Sequence, residues 1–441
     1  MEEQINNTET TPTKIQDKNK LGLIPDGWTT PIISEVFQFI NTTSFSRNQL
    51  NYDADTDLYY IHYGDIHSTY KKPLLDFEIE TNVPKLNSDV VLPNSVQYLK
   101  DGDVIIADAS EDYEGVGEAI EIKNLNDKVA ISGLHTFALR DLNSKTVAGF
   151  RTYIFKNLNV KKALKTIATG SKVYGISKGN IQKFKIVLPT LLEQQKIANI
   201  LSTWDKAISA QEKLIIEKQE LKQELMRQLL NGKKRFPGYT KDWGIVPLNQ
   251  ITWFQEGPGL RKWQFTTEGI KVINITNLKH SGNLNLSLTN RHISLEEFNN
   301  KYQHFECDAE DIVMASSGNS YCKVSIVKQK DLPLIMNTSV IRFKPLKNCD
   351  YNFLLNLLKS EKFKREIDRM ITGGAQPNFG PYHLNRIKVK IPCIEEQAII
   401  SSVLKSSDDD ISKSITKLES LKSQKQGLMQ QLLTGEKRVK I

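Results

Sequence analysis

The 441-residue chain is poor in cysteine, in long apolar runs and in histidine, and each scarcity removes a class of protein. Its four cysteines, Cys307, Cys322, Cys349 and Cys393, all lie in the second half without framework spacing. They fit reduced thiols in a cytoplasmic protein, not a disulfide scaffold. The apolar runs are far too short to cross a bilayer, so no membrane partner is expected. The first 20 residues, MEEQINNTETTPTKIQDKNK, are polar and carry no apolar signal segment, and are expected to form a disordered tail over 1–20. No Gly-x4-Gly-Lys-Ser/Thr loop for ATP is present. The seven histidines are scattered. His62 and His67 near Asp65, and His304 near Cys307, fit surface or packing roles better than a metal site. No catalytic residue, cofactor or metal is expected.

What is present begins with charge. The net charge is +8, which suggests a polyanionic partner without establishing one. Its distribution says more. Residues 142–192 carry ten basic residues and no acid, and residues 351–394 carry eight basic against three acidic. A solvated face is the bland reading of either run. Two runs at matching places favour contact with nucleic-acid phosphates. Residues 21–188 as a whole hold 18 basic and 20 acidic residues, so the affinity of the first half must come from its basic run.

The places match because the chain is a repeat. LMRQLLNGKKR at 225–235 returns as LMQQLLTGEKR at 428–438. Aligning 188–235 with 391–438 at a fixed offset of 203 needs no gap and gives 18 identities in 48 positions. They include Pro189/Pro392, Glu193/Glu396, Gln194/Gln397, Leu201/Leu404, Asp205/Asp408 and Ile208/Ile411. Upstream, TGSKVYGISKGNIQKFKIVLP (169–189) matches TGGAQPNFGPYHLNRIKVKIP (372–392). GDVIIADAS (102–110) resembles EDIVMASSG (310–318), and GWTTPIISEVF (27–37) resembles DWGIVPLNQIT (242–252).

Each copy ends in a long helix. Residues 193–231 contain neither Pro nor Gly. Apolar residues recur at Ile197, Leu201, Trp204, Ile208, Ile215, Leu225 and Leu229, with Leu214 and Leu221 widening the stripe. The second copy repeats the stripe at Ile400, Leu404, Ile411, Ile415, Leu418, Leu421, Leu428 and Leu432. Pro precedes each start, and Gly232 or Gly435 follows each end. A helix of roughly 39 residues is about 58 Å long. Its economical partner is the other copy, in an antiparallel coiled coil. Trp204 is expected in its core.

The parts before each helix read as mixed helix and strand. DLYYIHYGDI, DVIIADA, IKVINITNL, DIVMASS and SVIRFKP alternate as strands. FRTYIFKNLNVKKALKTIAT and YNFLLNLLKSEKFKREIDRMIT read as basic amphipathic helices, each followed by a loop rich in Gly and polar residues. Gly lets backbone N–H groups approach phosphate, and Gln or Asn reaches base edges.

The Thr-Gly loop, IVLPTLLEQQKIANIL and KIPCIEEQAIISSVL, the long helix and the closing QLL-x-G-x-K-R together resemble the specificity subunit of Type I restriction–modification systems. GDVIIADAS and DIVMASSGNSYCKVSIV followed by NTSVIRF resemble that family's target-recognition domains. The resemblance covers nearly all of 20–441. It implies an α+β chain of two tandem globular target-recognition domains joined by two long helices that form an antiparallel coiled coil with pseudo-twofold symmetry. The expected boundaries are 21–190 and 236–393 for the recognition domains, with 191–235 and 394–441 as spacer helices. The resemblance further implies a non-catalytic reader of a two-part site in double-stranded DNA. The helices would dock two adenine-N6 methyltransferase subunits, and the assembly would recruit endonuclease/translocase subunits. A methyltransferase of that type needs an Asn/Asp-Pro-Pro-aromatic motif. NFGPY (378–382) comes nearest and lacks the paired prolines.

Candidate DNA-contacting residues in the first copy are Tyr113, His135, Lys161, Lys162, Lys165, Ser171, Lys172, Tyr174 and Lys178. In the second they are Arg261, Lys262, Gln264, Asn319, Ser320, Tyr321, Lys362, Lys364, Arg365, Gln376 and Asn378. Arg suits guanine and Gln suits adenine in the major groove. The bland reading of GLRKWQF (259–265) is a strand start with Trp263 packed. The alternative for the whole chain is a coiled-coil scaffold with two protein-binding heads and no DNA contact.

Overall fold

The computed structural model describes residues 21–53, 56–70, 72–111, 114–170, 173–279, 281–371 and 377–441. The tail over 1–20 and the candidates Tyr113, Ser171, Lys172 and Gln376 lie outside them. The chain divides into two compact units. One comprises the residues up to Ala210 together with Leu418–Ile441, and the other is Gln211–Lys417. Each long helix therefore contributes to both units.

The first unit is organised on a five-stranded sheet in the order Phe37–Ile40, Thr136–Asp141, Val104–Ala107, Ala119–Lys123, Leu74–Asp76. Only its last pairing is parallel. Val104 and Ile106 face one core, with Tyr153, Phe155 and Leu164 from the helices Arg151–Lys156 and Leu158–Ile167. Ile105 and Ala107 face a second core with Ile40, Leu75 and Phe77. A strand buried on both faces must be apolar throughout, hence the unbroken VIIA run. A smaller four-stranded sheet, Leu50–Asn51, Lys85–Leu86, Leu58–Ile61 and Val129–Ser132, lies beyond.

The second unit repeats the plan with a four-stranded sheet, Thr252–Glu256, Val340–Pro345, Ile312–Ala315, Val324–Ile326. Ile312 and Met314 share a core with Phe353, Phe363 and Ile367, while Val313 and Ala315 face another. The basic stretch forms two helices here as well, Tyr351–Lys359 and Glu361–Met370. The strand before the head pairs with the strand after it in this unit, Gly244–Pro247 with Lys388–Ile391. The bridges Thr29–Leu188 and Ile32–Lys185 do the same in the first.

The long helices run Leu191–Leu229 and Ile394–Thr434. In the second unit Gln211 Nε2 donates to the Ser414 carbonyl at 2.9 Å, Lys218 pairs with Asp410 at 2.8 Å and Lys222 with Asp408 at 2.5 Å. One number rises as the other falls, so the helices are antiparallel. In the first unit Lys425 pairs with Asp205 at 2.6 Å, and the Tyr153 hydroxyl donates to the same carboxylate at 3.1 Å. The two Lys–Asp pairs are the same positions of the repeat, exchanged between copies.

The apolar seam differs from expectation in three ways. Ile415 is 38 % exposed, because it sits one residue, about 100° of helix, from the buried Ser414. Leu214 and Leu221 are exposed as well, and Trp204 is only half-buried. Leu229 and Leu432 are shared between the seam and the cores of the heads: Leu229 clusters with Trp243 and Phe353 of its head and with Leu404 of the other long helix, Leu432 with Trp28 of its head and Ile197 of the other long helix. Leu225 and Leu428 lie half-buried against those same cores. Leu201, Ile208, Ile215 and Leu404 are buried, and Ile411 and Leu418 are half-buried.

The chain leaves the C-terminal helix at Gly435, whose φ is +74°. A Cβ there would lie 2.1 Å from Pro25 Cγ, so only glycine allows this approach. The turn delivers Arg438 to the buried Glu193, which also accepts from Trp28 Nε1 at 2.9 Å. In the second unit Arg235 and Trp243 grip Glu396 in the same manner. The recurrent Glu-Gln and Lys-Arg motifs are thus two ends of one clasp. The adjacent glutamines tie each helix start to its head: Gln194 accepts from Val147 N at 3.0 Å, Gln397 from Asp350 N at 2.9 Å.

Candidate nucleic-acid interface

In both units the buried middle strand runs out at a junction of three backbone segments. In the first unit Asp108 N donates to the His135 carbonyl at 3.0 Å, and Ile176 N donates to the Asp108 carbonyl at 2.8 Å. Tyr174–Gly175 pairs there with Ala109–Ser110. In the second unit Ser316 N donates to the Ser339 carbonyl at 2.9 Å, and Phe379 N to the Ser316 carbonyl at 3.0 Å. Ser317 and Asn378 form a bridge beside them. The chain that follows the Thr-Gly pair therefore lies at the end of the middle strand in both copies. Gly170, at φ +137°, makes the turn in the first; a Cβ there would lie 1.8 Å from the Val173 carbonyl oxygen.

The backbone frame is shared and its side chains are not. Around the first junction His135 adopts φ +59° and is exposed. Its Nδ1 lies 3.4 Å from Asp108 Oδ1, and its ring packs edge-on to Tyr63 at 5.3 Å. His62 stacks against Tyr63 at 4.6 Å. Burial, with Arg47 nearby, lowers the His62 pKa. Burial raises that of Asp108, against the opposing pull of His135. Lys178 is exposed and lies 5.6 Å above the Phe39 ring.

Around the second junction Glu256 accepts from Thr338 Oγ1 at 3.4 Å and faces Gly380; burial raises its pKa too. Tyr321 donates to Asp368 at 2.6 Å, a bond that pushes its pKa up to about 12, and Lys364 lies 5.3 Å above its ring. Asn319 and Asn378 are exposed and Ser320 is half-buried. Tyr382 is exposed, with the Arg386 guanidinium 4.2 Å from its ring centre. Trp263 is 79 % exposed in a short turn beside the exposed Arg261 and Lys262, so it is not a packed strand residue.

Three groups of candidates are placed otherwise than expected. Gln264 is buried: its amide donates to Glu297 and, at 3.0 Å, to the Tyr302 hydroxyl, so it holds its loop and does not face solvent. Lys161 and Lys156 share Glu118, and Lys165 lies 2.6 Å from Glu114. Burial raises the Glu118 pKa, but the two lysines overcome it and hold the carboxyl below its usual range. Lys162 points elsewhere, exposed and without an ion pair among the described residues. Lys362 and Arg365 line a cavity of about 740 Å³ against Ile216 and Met226 of the central helix, whereas Lys364 turns toward Tyr321. Residues 362, 364 and 365 cannot share one helix face at about 100° per residue.

Sequence reading missed His62, Tyr63, Glu256, Thr338, Tyr382 and Arg386. Only Tyr382 had a signal, as the aromatic of NFGPY. Arg386 comes with Tyr382, four residues before it, and His62, Tyr63, Glu256 and Thr338 end or adjoin strands paired over long separations, for which a single sequence holds no local sign. Among the described residues no group of His, Cys, Asp and Glu could hold a metal ion, and no helix is long and apolar enough to cross a membrane.

Two copies of one α+β head, with a common frame and unlike side chains at its mouth, define a two-headed recognition protein. The chain belongs to the family of the Type I restriction modification DNA specificity domain, whose model matches residues 25–218 and again 240–423. It is a DNA sequence-specificity subunit of the Type I restriction–modification class. The chain is 29 % identical over 399 residues to the Type I restriction enzyme MjaVIII specificity subunit of Methanocaldococcus jannaschii, covering 84 % of this chain and 90 % of that one. A putative type I restriction enzyme MjaX specificity subunit from the same organism is 23 % identical over 442 residues, covering 96 % of each. A solved structure described as concerning complex assembly and conformational transition of the type I R-M system superposes with a TM-score of 0.61 at 14 % identity, over 94 % of this chain and 99 % of that one.

Proposed function

We propose that each unit reads one half of a two-part site in double-stranded DNA, and that the paired helices set the gap between the halves. The observation that carries this is the repeated junction, the same backbone frame bearing Asp108 and His135 in one unit and Ser316, Ser339 and Glu256 in the other. A duplicated reader of one sequence would keep its side chains; a reader of two different half-sites changes them and keeps the frame. Arg, Asn and carboxylates at such a mouth match base edges in the major groove, and Lys162, Lys178 and Lys262 supply sequence-independent attraction to phosphates.

In this reading the chain carries no catalysis of its own. It works in the cytoplasm, delivering two adenine-N6 methyltransferase subunits, docked on the helices, to the chosen site, and the same assembly takes on endonuclease/translocase subunits. Purification of the native complex through a tag on this chain tests the partners. The expected companion is a subunit with an Asn/Asp-Pro-Pro-aromatic motif. A mobility shift that weakens steeply with salt tests the DNA contact. A complex that holds neither the companion nor DNA would leave only a protein scaffold.

A further inference from the structure

A carboxylate at a DNA-facing surface is repelled by phosphate, so it is kept there only if it accepts a hydrogen bond that DNA can donate. In the major groove that donor is an exocyclic amine, cytosine N4 or adenine N6. Most buried and half-buried carboxylates in the heads are already satisfied. Asp103 accepts from Arg140 through both oxygens, at 2.9 and 2.6 Å, and from Lys100 N at 2.8 Å. Asp311 meets Arg342 at 3.2 Å and Lys344 at 3.4 Å, and accepts from Asp308 N at 2.9 Å.

Asp108 and Glu256 break this rule. Among the described residues Asp108 has one side-chain partner, His135, at 3.4 Å, and Glu256 has one, Thr338, also at 3.4 Å. A carboxylate offers about four lone-pair sites, so most of each group's capacity is unspent. Both belong to the junctions. Asp108 sits between His135 and the returning strand at Ile176; Glu256 sits between Thr338 and the returning segment at Gly380. They come from different strands, Asp108 following Val104–Ala107 and Glu256 ending Thr252–Glu256, yet both flank the start of the strand Thr136–Asp141 or its counterpart Val340–Pro345. Partial burial, which the single partner of each only partly offsets, also raises both pKa values.

The geometry points to Asp108 and Glu256 as specificity-determining residues, each accepting from the exocyclic amine of a cytosine or an adenine, one in each half-site. This rests on the two-headed reading above. Guanine O6 and N7 and thymine O4 are acceptors, so each carboxylate rejects the same base pair turned around. His135 and Thr338 act as positioning residues that aim the carboxylates.

The test uses the native complex, purified through a tag on this chain, and a pool of random-sequence duplexes, with the bound fraction sequenced. The variants are Asp108→Asn and Glu256→Gln, which keep shape but present an amine as well as an acceptor. Asp108→Asn should reduce discrimination at one base pair of one half-site about ten-fold. The other half-site, the gap and the salt dependence should stay as they were. Glu256→Gln should do the same in the opposite half-site only. Unchanged selection by both variants would overturn the inference, and so would a uniform loss of affinity for every sequence, the mark of a structural role. If the unaltered complex selects no two-part sequence, the proposed function itself has failed, which is a different result.

Discussion

Arg438 Nε lies 2.5 Å from Glu193 Oε1 across 245 residues of chain, and its guanidinium stacks on Trp28 at 5.6 Å. Arg235 repeats the contact with Glu396 at 2.6 Å and with Trp243 at 5.6 Å. In each clasp the arginine belongs to one copy of the repeat and the glutamate to the other. Glu193 and Glu396 are both 1 % exposed. Arg438→Ala would leave a buried carboxylate without its counter-charge. Breaking a fully buried pair costs about 3–5 kcal/mol, and the partial exposure of Arg438 reduces this to about 2 kcal/mol. Urea unfolding should show the loss in the first unit's transition, and Arg235→Ala should shift the second unit's instead.

The same clasp sets an acid limit. Burial raises the Glu193 pKa, but hydrogen bonds from Arg438, Thr190 and Trp28 outweigh it and hold the carboxyl below its usual 4.5. A depressed folded-state pKa gives stability that is complete above the unfolded value. It is lost as pH falls from about 4.5 through the lower folded value. Glu193→Gln should flatten this part of the stability–pH curve of the first unit. Equal acid slopes in variant and parent would assign the acid sensitivity to other carboxyls.

Leu229 and Ile415 were both apolar stripe positions, but the fold treats them differently. Leu229 is 2 % exposed in the second head's core, whereas Ile415 is 38 % exposed on the helix surface. Leu229→Asp should cost more than 3 kcal/mol and unfold the second unit, through an unpaired charge among Trp243 and Phe353. Ile415→Asp should stay within about 0.5 kcal/mol. Circular dichroism melts of the two variants compare them directly.

These cases show what was legible in the sequence. The duplication, the helix limits and the existence of the VIIA and IVMA strands are written locally, in identities, caps and apolar runs; that both strands are buried on both faces rather than alternating is a finding of the structure. Which surface covers Leu229 is not, because its cluster joins Trp243 and Phe353 of a head to Ile400 and Leu404 of the partner helix. A stripe of leucines tells that a face is buried, not against what. The internal pairing of Gln264 and Lys161 was hidden for the same reason: their partners Glu297 and Glu118 lie 33 and 43 residues away. The junction carboxylates were illegible because segments as far apart as Glu256 and Gly380 meet only in the folded chain.

Lys161 and Lys162 separate phosphate contact from internal pairing. Lys162→Ala removes an exposed charge and should lower the slope of log K against log salt by about 0.9, the share of one phosphate. Lys161 is committed to Glu118. Lys161→Ala should leave that slope almost unchanged and lower the melting temperature of the first unit. Binding titrations at several salt concentrations on one duplex distinguish them. The reverse pattern would mean that Lys161 leaves Glu118 for DNA.

The helix pairing dictates how the gap should be tested. Removing seven residues from the central helix alone would bring Lys222 out of register with Asp408. A matched deletion avoids this: residues 212–218 from the central helix and 415–421 from the C-terminal one. Both segments lie between the Asp205–Lys425 and Lys222–Asp408 pairs, so both pairs survive. Seven residues are nearly two turns, which preserves the face each helix presents, and shorten each helix by about 10 Å. At about 3.4 Å per base pair that is roughly three base pairs. The two half-site sequences should not change, since neither junction is touched, while the preferred gap between them should shrink by that number. Sequencing the methylated positions in cells carrying the matched deletion reads both quantities at once. An unchanged gap with full methylation would show that the helices do not measure the distance and that the docked subunits do.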